Sequence, residues 1–237
     1  MISETLRATF RQLGTTNGLL YLLGKTLQRI SRGRARIIRY HFVAQPVPVG
    51  EIAKLRPASK VVTRFISHDD PVVAQFPRPR NVINRRFKSG AECLVIESDG
   101  EFAGFLWLAY DCYDEDEVRC RYRLGCPTAQ AWDYDVYIAP RFRIGRSFAR
   151  LWTAANAHLS GQGIHWSISR ISAFNPGSLA AHRSLGIQVI GAATFICIGT
   201  LQLGVFNSAP FIHLSLSRTT IPTIDLLPPP TTRTPVY

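Results

Sequence analysis

The chain has 237 residues, 46% of them hydrophobic, and its 28 lysines and arginines outnumber 16 aspartates and glutamates to give a net charge of +12. That size and apolar content suit one domain with appendages and a sizeable core. Five scattered cysteines without a Cys-x-x-Cys pair argue against a structural zinc and fit a reducing cytoplasm, the expected location.

The first fifty residues carry eight basic residues and one acidic, a net +7. Residues 1–13 and 17–31 read as helices with a break near Asn17-Gly18. In the second, Leu19, Leu20, Leu22, Leu23, Leu27 and Ile30 recur at helical spacing while Lys25, Gln28 and Arg29 face elsewhere, an amphipathic basic helix. Core packing, a partner helix and a membrane surface are the roles open to it. Its apolar piece Gly18–Leu23 is too short, and too far into the chain, for a secretory signal. Residues 36–43 then turn strand-like and Pro46 and Pro48 close them, so 1–50 is expected to be a basic extension of helices and a strand. Such an arm could meet an anionic polymer or membrane surface; a solvated basic face is the plainer alternative.

Residues 51–216 are expected to form the main domain. After a connector at 52–57, Val61–Ile66 has a β-branched bias, and Asp69-Asp70-Pro71 marks a helix start, proline being favoured at the first position. A second short helix covers Asn81–Lys88. Residues 93–97 and 102–110 flank Ser98-Asp99-Gly100, a strong hairpin signal. Five acidic residues crowd Asp111–Glu117, either a soluble loop or a border that attracts an amine; a calcium loop is excluded by spacing. Strand-like alternation resumes at Val118–Leu124. The uncharged run Ile187–Phe206 has the length of a membrane span, but its polar residues, three glycines and β-branched bias predict two adjacent strands turning at Gly199-Thr200. Phe211–Leu216 is a last strand, and 217–237 a Pro/Thr-rich tail with no core-forming pattern.

The stretch Trp132–Gly186 organises the chain. A strand Trp132–Ile138 leads through Ala139-Pro140 into the basic turn Arg141-Phe-Arg-Ile-Gly-Arg146 and a helix Ser147–Leu159. Free N–H groups at such a helix start, backed by the helix dipole, attract a phosphate. On the strand, Val136 and Ile138 share one face and Asp133, Asp135 and Tyr137 the other. A further strand, Trp166–Phe174, precedes a helix Pro176–Leu185 with Asn175 placed to cap it.

These pieces, in this order, resemble the GNAT superfamily of acyl-CoA N-acyltransferases, over roughly residues 50–205. Ile138-x-Pro140 fits the family's strand end, and Asn175, Ser178, His182 and Gly186 fall at the positions of its Asn-x-x-small-x-x-x-Tyr-x-x-x-Gly element. The turn fits in two ways. With Gly145 and Ser147 as the small residues, Phe142 takes the Arg/Gln place; anchored on Pro140, Arg143 takes it, and Arg146 and Phe148 fall on the small positions.

The resemblance implies an α+β fold with a mixed, mostly antiparallel central sheet flanked by helices. It implies acetyl-CoA or another acyl-CoA as co-substrate, no metal, and transfer of the acyl group to a primary amine of a small molecule or protein in a ternary complex. The cofactor-binding residues would be Tyr137, Ile138, Arg143, Ile144, Gly145, Arg146, Ser147, Phe148, Asn175 and Ser178. His182, where the family has a tyrosine, would be the acid toward the sulfur, with a packed helix histidine as the plainer alternative. Asp135 or Asp133 would orient or deprotonate the amine, and Glu97 is a third candidate. A homodimer is among the expected assemblies. The alternative is a catalytically degenerate binding module of the same fold, held to an anionic surface by its basic arm. No Gly-x-Ser-x-Gly elbow, dinucleotide fingerprint or phosphate-loop Gly-Lys-Ser/Thr is present, and nothing predicts sequence-specific DNA binding.

Overall fold

The computed structural model describes residues 2–48 and 60–229. The connector expected at 52–57 and the last eight residues of the tail lie outside them. In chain order the elements are α1 (Ile2–Ile30), β1 (Ala35–Pro46), β2 (Val61–Ile66), α2 (Arg80–Lys88), β3 (Glu92–Ser98), β4 (Glu101–Ala109), β5 (Cys112–Asp114), β6 (Arg121–Leu124), β7 (Gln130–Ile138), α3 (Ser147–Gly161), β8 (Trp166–Ser172), α4 (Pro176–Arg183), β9 (Gln188–Ile198), β10 (Leu201–Phe206), β11 (Ile212–Ser215) and β12 (Thr223–Leu226). Short 3-10 turns cover Pro71–Gln75 and Pro140–Phe142. The fold class is α+β, as the sequence predicts. The chain divides into two compact units, the first made of 1–45, 112–125 and 168–237, the second of 46–111 and 126–167.

In the second unit the strand order is β7-β4-β3-β2, and all three pairs are antiparallel. The hairpin turn lies at Asp99-Gly100, where both residues have positive φ (54° and 79°), the conformation Asp-Gly supplies in a two-residue turn. Both faces of this sheet are covered, which is why β4 is buried from Phe102 to Ala109 instead of alternating. Helix α3 packs on β3 and β4 through Leu151, Trp152, Ala155 and Leu159, at the i, i+4, i+8 spacing of one helix face. The turn at Pro71 starts where expected: Asp70 caps it by accepting from the Val72 N–H at 3.0 Å.

In the first unit the order is β11-β10-β9-β1-β8, and the pairs β1/β9, β9/β10 and β10/β11 are antiparallel. The uncharged run 187–206 is a pair of strands turning at Gly199 (φ 58°), as its composition predicts. Among the described residues no helix is long and apolar enough to cross a membrane. A small second sheet joins β5, β6 and β12, with β12 parallel to β6.

Three expectations change. The strand within 1–50 is not peripheral: β1 is interior, between β9 and β8, with Tyr40, Phe42, Val43 and Ala44 buried. The tail is not without core residues, since Ile224 and Leu226 of β12 are buried; alternate residues at 224 and 226 suffice for one buried strand face. And α1 kinks at Gly14 (φ 76°), not at Asn17-Gly18. Its packed face runs through Gly24, where an added Cβ would lie 3.3 Å from Ile37 Cβ of β1, and Tyr21, whose ring meets Phe174 edge-on at 5.6 Å. Leu19 and Leu23 are more than half exposed and Ile30 is 76% exposed. Much of the leucine stripe therefore faces solvent, because the close approach of helix to strand selects the glycine face.

Candidate active site

Strand β7, the turn after it and the start of α3 form one continuous piece of the second unit. The register of β4 on β7 runs Phe105 opposite Tyr137 and then Trp107 opposite Tyr134, so β7 spends Asp135 and Val136 where β4 has only Leu106. This is a β-bulge, and Asp135 adopts φ 48° within it. The bulge breaks the alternation that would put Asp133, Asp135 and Tyr137 on one face. Tyr134 now packs on Trp107 (centroids 6.3 Å) and Tyr137 on Phe105 (5.5 Å), so residues of even and odd number share a face.

The two aspartates consequently have different surroundings. Asp133 is buried and accepts from the Ser167 hydroxyl at 2.6 Å. Asp135, its side chain 12% exposed, accepts from Arg78 Nε at 2.8 Å and from Arg86 Nη1 at 2.5 Å. Arg86 reaches it from α2 across the rings of Trp107 and Tyr134, with its guanidinium carbon 5.3 and 5.0 Å from their centroids. Burial by itself would raise the Asp135 carboxyl, but the two guanidinium groups outweigh it and hold the pKa below the usual carboxylate range. A carboxylate so stabilised is a weak base; its evident work is to tie α2 and Arg78 to the bulge. Glu97 is likewise engaged, accepting from Arg64 Nη2 at 3.0 Å.

After Ile138 the chain is drawn close to β4. A Cβ on Gly104 would lie 2.3 Å from the Tyr137 carbonyl oxygen, so only glycine fits there. Arg143 turns back to donate to the Ile138 carbonyl at 3.1 Å and Arg141 pairs with Glu101. Of the two ways of aligning the turn, this favours neither: Arg143 is committed to the strand end, while Ile144 is 98% exposed and Gly145 has open space around it. Helix α3 begins at Ser147 with Arg146 as N-cap, no side-chain cap hydrogen bond and no acidic residue in its first turn. The ring of Phe148, half-buried, meets Trp152 edge-on at 6.4 Å. Uncapped N–H groups among arginines suit a diphosphate, which is the fit that a coenzyme A would require.

Asn175, Ser178 and His182 are brought together by α4 of the first unit. Asn175 is the cap: its Oδ1 accepts from the Ser178 N–H at 3.0 Å. His182 Nδ1 lies 2.8 Å from the Ser178 carbonyl oxygen. A carbonyl only accepts, so Nδ1 carries the proton, and in the neutral ring Nε2 is the basic nitrogen. A proton delivered by His182 must therefore leave Nε2 of the imidazolium.

Sequence reasoning passed over three groups that the structure assembles. Arg78 and Arg86 have been described; Arg86 had a signal, lying three residues from the buried Ile83 on one face of α2. His158 Nε2 lies 2.8 Å from Glu92 Oε2, which also accepts from the Tyr110 hydroxyl at 2.7 Å, and burial with this carboxylate pushes the Tyr110 phenol well above its ordinary range. In the first unit Arg170 donates to both oxygens of Glu115, at 2.8 and 2.7 Å, and lies over Tyr40, whose hydroxyl donates to Glu117. The acidic run is thus partly a set of internal partners. Among the described residues no group of His, Cys, Asp and Glu could hold a metal ion.

No family model and no curated protein matches the chain. Solved structures similar to it include an acetyltransferase from the GNAT family of Novosphingobium aromaticivorans, 16% identical, covering 68% of this chain and 65% of that one, with a TM-score of 0.47. Others are a GNAT family acetyltransferase from Elizabethkingia anophelis with acetyl-CoA bound (10% identical, 54% and 75% covered, TM-score 0.40) and an aminoglycoside acetyltransferase from an uncultured soil metagenomic sample in complex with sisomicin (13%, 54% and 88%, 0.40). The chain spans just under two thirds of the length of the first of these. Among solved structures, then, the chain is similar to GNAT acetyltransferases, at low identity.

Proposed function

We propose that the protein is an acyl-CoA-dependent N-acyltransferase that transfers an acyl group, most simply acetyl, to a primary amine. The observation that carries this reading is the bulged strand β7 running through Pro140 into an uncapped helix start surrounded by Arg141, Arg143 and Arg146. The thioester co-substrate supplies the activated acyl group. The N–H groups at Ser147 and Phe148 would hold its diphosphate, with Arg146 beside them. The bulge supports the reading because it turns backbone groups of β7 away from the ladder, where they can meet a ligand. His182, in the first unit, is proposed as a proton donor through Nε2, its tautomer fixed by Ser178. Asp133 and Asp135 are proposed to position this strand and not to deprotonate the amine.

Acetyl-CoA at concentrations far above a micromolar dissociation constant should raise the melting temperature by several degrees, since a ligand at about 100 times Kd stabilises by about 2.7 kcal/mol. Arg146→Glu should remove most of the shift while leaving the fold intact, as Arg146 is exposed. Absence of any shift in the natural protein sinks the reading.

The exposure of Leu19, Leu23 and Ile30 beside Lys25 and Arg29 favours a second reading, attachment of α1 to an anionic membrane surface. It predicts salt-sensitive sedimentation with phosphatidylserine vesicles, lost in Leu19→Ser/Leu23→Ser. Equal recovery with neutral vesicles at high salt argues against it.

A further inference from the structure

The first unit contains a cleft of about 560 Å³ between the loop after β5, the β9/β10 turn and the chain around Arg218. Its volume is in the range of small-molecule sites, about 300–1,000 Å³. Seven charged residues line it, and their arrangement is asymmetric. Asp114 and Glu115 are held in ion pairs, with Arg121 at 2.5 Å and Arg170 at 2.7 Å, and Glu117 lies 3.9 Å from Arg170; Asp116 accepts from the neutral Tyr113 hydroxyl at 3.4 Å. The basic ones, Arg36, Arg119 and Arg218, make no ion pair with a carboxylate among the described residues.

Two of these arginines are also held in place. Arg119 is clamped by the buried Gln202, whose side chain accepts from the Arg119 N–H at 2.9 Å and donates to its carbonyl at 2.7 Å. Among the described residues its guanidinium donates only to the Ser215 carbonyl, at 3.4 Å, and its Nε is buried without a hydrogen bond. Arg36, opposite Cys197 in the β1/β9 register, donates to the Glu117 carbonyl at 3.3 Å. The clamp fixes the backbone of Arg119, and the carbonyls that accept from the two guanidinium groups are neutral and leave their charge uncancelled.

We propose that this cleft is a binding site for a small anion, one bearing carboxylate or phosphoryl groups, held by Arg36, Arg119 and Arg218. Guanidinium groups meet both kinds of oxyanion through paired N–H donors, and pre-positioned ones lose less freedom on binding. The site is independent of the acyl-transfer reading, which rests on β7 and the start of α3.

The test is calorimetric titration of the full chain at fixed moderate salt with two probes, inorganic pyrophosphate and citrate; the better binder identifies the preferred oxyanion. Saturable binding that weakens about tenfold in Arg218→Gln and again in Arg119→Gln is expected, each change removing about one charged hydrogen bond. Arg218 is exposed, so its variant tests the site without risk to folding. Asp116→Asn, which removes an opposing charge at the rim, should tighten binding. Pyrophosphate could also meet the start of α3, so Arg146→Glu is the control and should leave the citrate and pyrophosphate affinities at this cleft unchanged. No saturable binding of either probe, or binding lost in Arg146→Glu and retained in Arg36→Gln/Arg119→Gln/Arg218→Gln, overturns the proposal.

Discussion

Each unit has an ion cluster packed against aromatic rings, and these two clusters are built in opposite senses. In the second unit a single carboxylate, Asp135, holds two guanidinium groups, Arg78 and Arg86. In the first a single guanidinium, Arg170, lies among Glu115, Glu117 and the Tyr40 ring. The hub differs because the backbone differs. Asp135 sits on a bulge and meets both arginines there, whereas Arg170 sits on a strand and reaches the carboxylates of a loop. The lesson is that the hub of each cluster is the member whose loss removes the most charge pairing.

Removing the first-unit hub should have the largest effect. Arg170→Met leaves Glu115, whose side chain is fully buried, without its cation, and breaking a buried pair in this way costs about 3–5 kcal/mol. Urea unfolding should register it; a loss under 1 kcal/mol would mean Glu115 escapes to solvent. Next comes Asp135→Asn, expected to cost about 1.5–3 kcal/mol, because Arg78 can turn to solvent while Arg86, 9% exposed, cannot.

The same substitution sharpens the comparison through pH. Asp135 has a folded pKa below its unfolded value of about 3.9, so its contribution is complete above that value and is lost as pH falls through the lower, folded one. The natural protein should therefore lose stability below about pH 4 more steeply than Asp135→Asn does. Parallel curves would remove Asp135 from the hub position. The smallest effects are expected at the two turns, one in each unit. Gly100→Ala and Gly199→Ala should each cost about 1 kcal/mol, since both have positive φ and neither has a neighbour within 4 Å. A larger loss at one turn alone would show that more than backbone conformation is at stake there.

Much of the fold was legible locally. The Asp99-Gly100 hairpin, the Asp70 and Asn175 caps, the α3 face and the strand pair within 187–206 all follow from turn chemistry and periodicity. The site was legible as a segment, strand to basic turn to helix, but not as chemistry. Periodicity put Asp133, Asp135 and Tyr137 on one face; an inserted residue at 135–136 separated them, and single-sequence patterns carry no mark of a bulge. The burial of Ile224 and Leu226 escaped notice because a four-residue strand among prolines and threonines shows too little alternation. The leucine stripe of α1 misled because close approach at Gly24 outweighed apolar area.

By itself the sequence determined what neighbouring residues decide: helix starts, tight turns, strand content, a positive charge concentrated at one end, and a helix entrance suited to phosphate. Tertiary structure alone decided which charges meet. Arg78 and Arg86 lie 57 and 49 residues from Asp135, and Arg170 lies 55 from Glu115. Pairing across such separations depends on strand order and register, which arise from packing the whole sheet and leave no periodic trace along the chain.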